Sequence, residues 1–239
     1  MRWLRSMRGV RNTMLIVVAL VAGQTVRADG PWSEKPPTDW DRSDVRRILF
    51  DSPWVRHFTH VNRALESEVP DQGPSGMELR GYHAKESKED GAETAEFYIR
   101  WVSSRTLREA SDRRIALLKS VPPNAAEANP PRVLDDFEVA LTGPDMSGFD
   151  GVRETTLKSK CYLWVSPKRK IAPSAVEFAR SRPGKVRAVL FRFPRKTVDG
   201  EPLISTHDTT VLFIEYGGVV EIRVTFNLKA MVDHSGLDL

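Results

Sequence analysis

The stretch Thr209-Thr-Val-Leu-Phe-Ile-Glu-Tyr-Gly-Gly-Val-Val-Glu-Ile-Arg-Val-Thr-Phe-Asn227 decides the fold class. Two runs rich in β-branched and aromatic residues, Thr209–Tyr216 and Val219–Asn227, flank Gly217-Gly218 and read as a β-hairpin. Glycine takes the positive φ that a type I′ turn demands. A two-residue loop then pairs Glu215 with Val220, Phe213 with Ile222 and Val211 with Val224. Opposed residues share a face. Val211, Phe213, Val220, Ile222 and Val224 are therefore the predicted core side, with Glu215 intruding beside the turn. Leu212, Ile214, Glu221 and Arg223 fall on the other side.

Working outward, period-two alternation predicts further strands at Phe97–Trp101, Val133–Leu141, Leu157–Val165 and Val186–Phe193. A helix is expected near Arg42–Phe50, capped by Thr38 or Asp41. Ser52-Pro53 reads as the start of a second short helix through Trp54, Val55, Phe58 and Val61. Thr106 and Glu109 stand in capping-box relation ahead of a helix running to about Lys119, and Ser174 and Glu177 do the same ahead of a short helix ended by Pro183-Gly184. Residues 66–76, 85–93 and 121–131 read as loops, and residues 29–40 as an extended arm. A lone strand at Phe97–Trp101 needs partners from later in the chain. The prediction is a single α+β domain over residues 41–239, with a mainly antiparallel sheet and a few short helices.

Residues 1–28 read as a secretory signal peptide. Arg2, Arg5, Arg8 and Arg11 precede the nine-residue apolar run Met14–Ala22, and Val26-Arg27-Ala28 offers a cleavage site. That run is short of the roughly 20 residues a bilayer crossing takes. The expectation is cleavage after Ala28, a periplasmic or extracellular location, and no stable membrane insertion afterwards. Without the five arginines of residues 1–28, the 36 basic residues fall to 31, against 32 acidic. The basic balance therefore gives no argument for a nucleic-acid partner. Cys161 is the single cysteine and cannot form an intramolecular disulfide. It falls on the apolar side of its strand, which predicts a buried, slow-reacting thiol.

Catalytic signals are weak. His57 and His60 stand three apart on the predicted helix, a spacing able to chelate a metal, yet nothing identifies further ligands. Asp135, Asp136 and Glu138 offer a carboxylate pair on a face that reads as solvated. Asp145–Gly151 departs from a calcium loop at Ser147 and Phe149. His207-Asp208 lacks a nucleophile elbow, and no P-loop, G-x-G-x-x-G or HExxH is present. No cofactor or metal is assigned. Lys158, Lys160, Tyr162 and Trp164 share the strand face opposite Cys161, with Lys168, Arg169 and Lys170 following. Basic side chains among aromatic rings suit a sugar or an anionic polymer.

Asp44-Val-Arg-Arg-Ile-Leu-Phe-Asp-Ser-Pro-Trp54 and Phe226-Asn-Leu-Lys-Ala-Met231, with Phe193-Pro194-Arg195, resemble an uncharacterised family of secreted bacterial proteins. The resemblance implies export and a single domain, and it carries over no functional residue. The reading that follows is a non-enzymatic binding protein with an envelope protein or polysaccharide as partner. A hydrolase with dispersed catalytic residues is the alternative.

Overall fold

Phe97, Ile99 and Trp101 are fully buried while Tyr98 and Arg100 between them are half-buried, the alternation expected of a strand with one core face. They belong to β2 (Glu93–Trp101), which pairs antiparallel with β1 (Val55–Asn62) and β3 (Asp136–Thr142). The computed structural model describes residues 30–62, 93–119, 134–167, 169–181, 184–218 and 220–239. β7 (Val186–Pro194) and β6 (Ala175–Arg180) complete a five-stranded sheet in the order β1-β2-β3-β7-β6. A second sheet runs β5 (Arg169–Ile171), β4 (Cys161–Ser166), β8 (Thr210–Glu215), β9 (Ile222–Asn227). β10 (Val232–Asp233) and β11 (Gly236–Leu237) form a separate two-stranded hairpin. The pairings are antiparallel and the fold is α+β, as the alternation predicted.

The inner faces of the two large sheets meet in one core. Phe191 stands edge-on to Phe213 at 5.4 Å, and Trp101 to Phe226 at 5.4 Å. Arg56 closes the seam between β1 and β9. Its Nε donates to the Thr225 carbonyl at 2.7 Å and its guanidinium lies 5.3 Å from the Phe226 ring. The helices α1 (Pro31–Glu34), α2 (Arg42–Phe50), α3 (Arg105–Lys119) and α4 (Glu154–Lys160) each add buried side chains to the same cluster. Among the described residues no helix is long and apolar enough to cross a membrane.

Several expectations are corrected. Residues 31–39 are not an extended arm. Pro31 opens α1, a 3-10 turn follows at Pro37–Asp39, and Trp32 and Trp40 are buried. Trp32 stacks edge-on against Trp54 at 5.5 Å, and Trp40 Nε1 donates to the Pro31 carbonyl at 3.1 Å. Residues 55–62 form β1 and not a helix, because β2 offers eight paired positions and Val55 and Thr59 suit a pleated surface. The predicted strand from Leu157 is helical as far as Lys160. Only Leu157 of α4 is buried, and β4 begins at Cys161.

Ser174 and Glu177 do not cap a helix. The Ser174 hydroxyl donates to the Arg192 carbonyl at 3.1 Å and Glu177 pairs with the Arg192 guanidinium at 2.9 Å, so both serve the β6–β7 pairing. Asp41 is the cap of α2, accepting from Ser43 N at 2.7 Å and Asp44 N at 2.8 Å. The β8–β9 hairpin keeps Val211, Phe213, Ile222 and Val224 on its core face but shifts its register by two, pairing Glu215 with Ile222 and Phe213 with Val224; Val220 lies before β9, half-buried, and Ile214 on the other face is buried as well. An even shift preserves the faces. Neither Gly217 nor Gly218 takes positive φ. The predicted loops at 66–76, 85–93 and 121–131 lie outside the described residues, apart from Glu93 at the start of β2.

Candidate functional site

α3 begins at Arg105, one residue before the predicted cap Thr106. The Ser104 hydroxyl accepts from Leu107 N at 3.1 Å, and the Asp238 carboxylate accepts from Arg105 N at 2.6 Å and Thr106 N at 2.9 Å. Two of the orphan donors of the helix start are thereby satisfied by a residue distant in sequence, and a third by the neighbouring Ser104. Glu109 is released from a capping role and sits one turn into the helix, half-buried.

Arg105 ties that helix start to the β10–β11 hairpin. Its Nη2 donates to Asp233 and, at 2.8 Å, to the Ser235 hydroxyl. It also approaches His234 Nε2 at 3.3 Å. Arg105 Nε lies 3.9 Å from Glu109. One guanidinium thus bridges two carboxylates and holds the imidazole beside them.

Facing this cluster is the segment Trp32–Pro37. The two walls enclose a cleft of about 500 Å³. Trp32, Trp40, Pro36 and Pro37 supply apolar wall, while Glu109 and His234 supply polar groups. Lys35 also lines it, but its ammonium is bound to Asp44 at 2.9 Å.

The two carboxylates differ in character. Burial pushes Glu109 up, and the charges of Asp238 and Asp233 add to this, against the pull of Arg105. Burial also acts on Asp233, but hydrogen bonds from Ser235 and Arg105 outweigh it and hold the group low. Adjacent carboxyls held apart in this way can divide proton donor from acceptor.

The residues singled out in the sequence are distributed as follows. Tyr162 and Trp164 share the outer face of β4, where Lys170 lies 4.8 Å from the Tyr162 ring and 5.4 Å from the Trp164 ring. Lys158 and Lys160 stand on α4 and not on the strand. Lys160 reaches the same neighbourhood by lying 5.2 Å from Tyr216, which meets Tyr162 edge-on at 6.3 Å. Among the described residues Lys158 makes no such contact.

His57 and His60 fall on opposite faces of β1, as residues three apart on a strand must. Among the described residues no group of three or more His, Cys, Asp or Glu is placed to hold a metal ion. Glu138 pairs with Arg192 at 3.1 Å, and Asp136 accepts from Ser174 at 3.3 Å. Asp145 turns its own loop through Ser147 N at 2.8 Å, and Asp150 accepts from Val186 N at 2.7 Å. Asp208 is bound by Arg169 and Ser205. Cys161 is buried, and burial first, then the neighbouring Glu215, push its thiol up.

Sequence reasoning missed Arg105, Asp233 and His234, and read Glu109 only as a cap. The turn composition of Asp233-His234-Ser235-Gly236 was the available signal for the hairpin. Nothing local joins it to Glu109. Comparison with protein-family models, curated proteins and solved structures finds no match for this chain.

Proposed function

We propose that the chain is an exported, non-enzymatic binding protein that takes a sugar-sized, hydroxyl-rich segment of an envelope polysaccharide in the cleft between Trp32–Pro37 and α3. The observation that carries this reading is the pairing of an indole and proline wall with Glu109 and His234 across about 500 Å³. Such a space suits a compact ligand. Sugars present apolar C–H faces to rings and hydroxyls to carboxyl and imidazole groups, and the cleft offers both kinds of wall. The signal-like residues 1–28 support export, as does the resemblance to secreted bacterial proteins.

Binding is favoured over hydrolysis by Arg105. It occupies the space between Glu109 and Asp233. Glycosidic chemistry needs two carboxyl groups flanking a bond, with room for a water or the sugar between them. The cleft is also favoured over the Tyr162 and Trp164 face, because Lys170 already covers both rings there.

A titration of isotope-labelled protein with a panel of neutral and amino-sugar oligosaccharides tests the reading. Shifts centred on the Trp32 and Trp40 indoles, Glu109 and His234, weakened by Glu109→Gln, are the expected result. Shortened sugars during the titration would mean the hydrolase instead, with Glu109 as acid. Shifts confined to Tyr162 and Trp164 would move the site to β4.

A further inference from the structure

The outer side of the α2–α3 pair carries a second concavity, of about 290 Å³, remote in composition from the cleft. Its floor and walls are Val45, Leu49, Phe50, Leu117 and Leu118. Phe50 is 45% exposed and Leu118 71% exposed. Single exposed apolar residues mean little, but two exposed side chains lining one apolar groove form a patch.

Phe50 is held in place although it faces solvent. Its ring meets Tyr98 edge-on at 6.1 Å, and the Arg100 guanidinium lies 5.1 Å from it. Arg100 is fixed in turn by donating to the Leu49 carbonyl at 3.2 Å and the Thr142 hydroxyl at 2.7 Å. An aromatic side chain already ordered loses little entropy when a partner covers it.

The rim is cationic. Arg42, Arg46 and Arg114 line the groove. Among the described residues no carboxylate lies within ion-pair distance of any of the three. Elsewhere on the fold, arginines such as Arg105, Arg169 and Arg192 are matched with acids. Guanidinium groups recognise carboxylates in a directional, often bidentate way.

From this juxtaposition of an ordered apolar groove and three unmatched arginines, we infer that α2 and α3 form a docking surface for an acidic amphipathic helix of a partner protein. The nine residues of α2 span about 13 Å along the groove's edge, the length of two to three turns of such a helix. Its apolar side chains at i, i+3, i+4 and i+7 enter the groove and its glutamates or aspartates meet the arginines. The concavity favours a helix over a lipid surface, since a bilayer cannot fill a depression between two helices. This inference stands apart from the cleft.

The test uses a fluorescent peptide of about 15 residues with leucines at helical spacing and glutamates between them, titrated with the protein and followed by anisotropy. A lysine-for-glutamate peptide is the control. Expected is saturable binding of the acidic peptide alone, weakened about tenfold or more by combining Arg42→Glu, Arg46→Glu and Arg114→Glu, and by Phe50→Ser. Circular dichroism of each variant separates lost docking from lost folding, and oligosaccharide binding in the cleft is unchanged if that reading holds. Equal binding of the two peptides, or binding untouched by the arginine variants, overturns the inference. So does binding of phosphatidylglycerol vesicles with no binding of the peptide, or self-association of the protein through this face.

Discussion

Glu215 and Cys161 face each other across the β4–β8 pair, and both side chains are out of water. Glu215 Oε1 accepts from Gly217 N at 2.5 Å and Gly218 N at 2.9 Å, while Oε2 has no partner among the described residues. A buried carboxylate half satisfied in this way is easier to keep when protonated. Burial pushes Glu215 above its ordinary value of 4.5, and the two glycine N–H groups only partly oppose it.

The folded chain therefore holds the Glu215 proton more tightly than the unfolded chain. Its contribution to stability is complete below about pH 4.5 and is lost as pH rises through the folded value. Glu215→Gln, which keeps one acceptor and cannot ionise, should lose less stability than the parent between about pH 4.5 and neutrality. Urea denaturation of both proteins across that window checks it. Parallel curves would remove the buried carboxyl as the cause.

Gly218 is required for space. A Cβ there would stand 2.6 Å from Phe149 Cε1 and 2.9 Å from Cζ, in the core. Gly218→Ala should destabilise by about 1–3 kcal/mol through forced repacking of Phe149. Gly151→Ala, whose Cβ would meet nothing within 4 Å, is the control and should stay within about 0.5 kcal/mol. Equal midpoints in denaturant for the two variants would refute the steric account.

Phe213 is fully buried and Arg223 is mostly exposed, bound among the described residues only to Glu221. Phe213→Ala should cost about 3–5 kcal/mol. Arg223→Ala should cost about 0.5 kcal/mol or less. Chemical denaturation separates them easily, and comparable losses would mean that the outer face of the second sheet is covered.

Asp238 caps α3 from 133 residues away in the sequence. Asp238→Ala should cost about 1–2 kcal/mol, the range of lost helix caps, and Asp238→Asn less, since one acceptor survives. Hydrogen exchange at Arg105 and Thr106 should rise in the alanine variant before global stability is exhausted. Unchanged protection at those two amides would place the cap elsewhere.

Strands were legible wherever alternation was clean, as at Phe97–Trp101 and Phe137–Leu141, because a period of two has one structural meaning there. Residues 54–61 misled because Trp54, Val55, Phe58 and Val61 also satisfy helical spacing, and only the partner strand β2 decides between the two. Ser174 and Glu177 misled because residues that cap helices also pair across strands, and Arg192 claims both. The hairpin register slipped by two because the glycines answer to Phe149 and Lys160, which lie far away in sequence, and not to the turn. The cleft was invisible for the same reason. Trp32, Glu109 and His234 carry no common spacing, and only long-range contacts such as the Asp238 cap and the Trp32–Trp54 packing bring them together.

Trp54 Nε1 donates to the Asp238 carbonyl, 184 residues away, and Arg195 donates to the carbonyl of Leu239. With the Asp238 cap, three separate regions of the fold are fastened by two consecutive residues near the end of the sequence. Contacts of such separation form late, after the loop between them has been closed. A chain that emerges amino-terminus first, from a ribosome or through a pore, therefore stays unfastened until those residues arrive. Trp54, α3 and Arg195 gain these bonds only after residues 238 and 239 have been made.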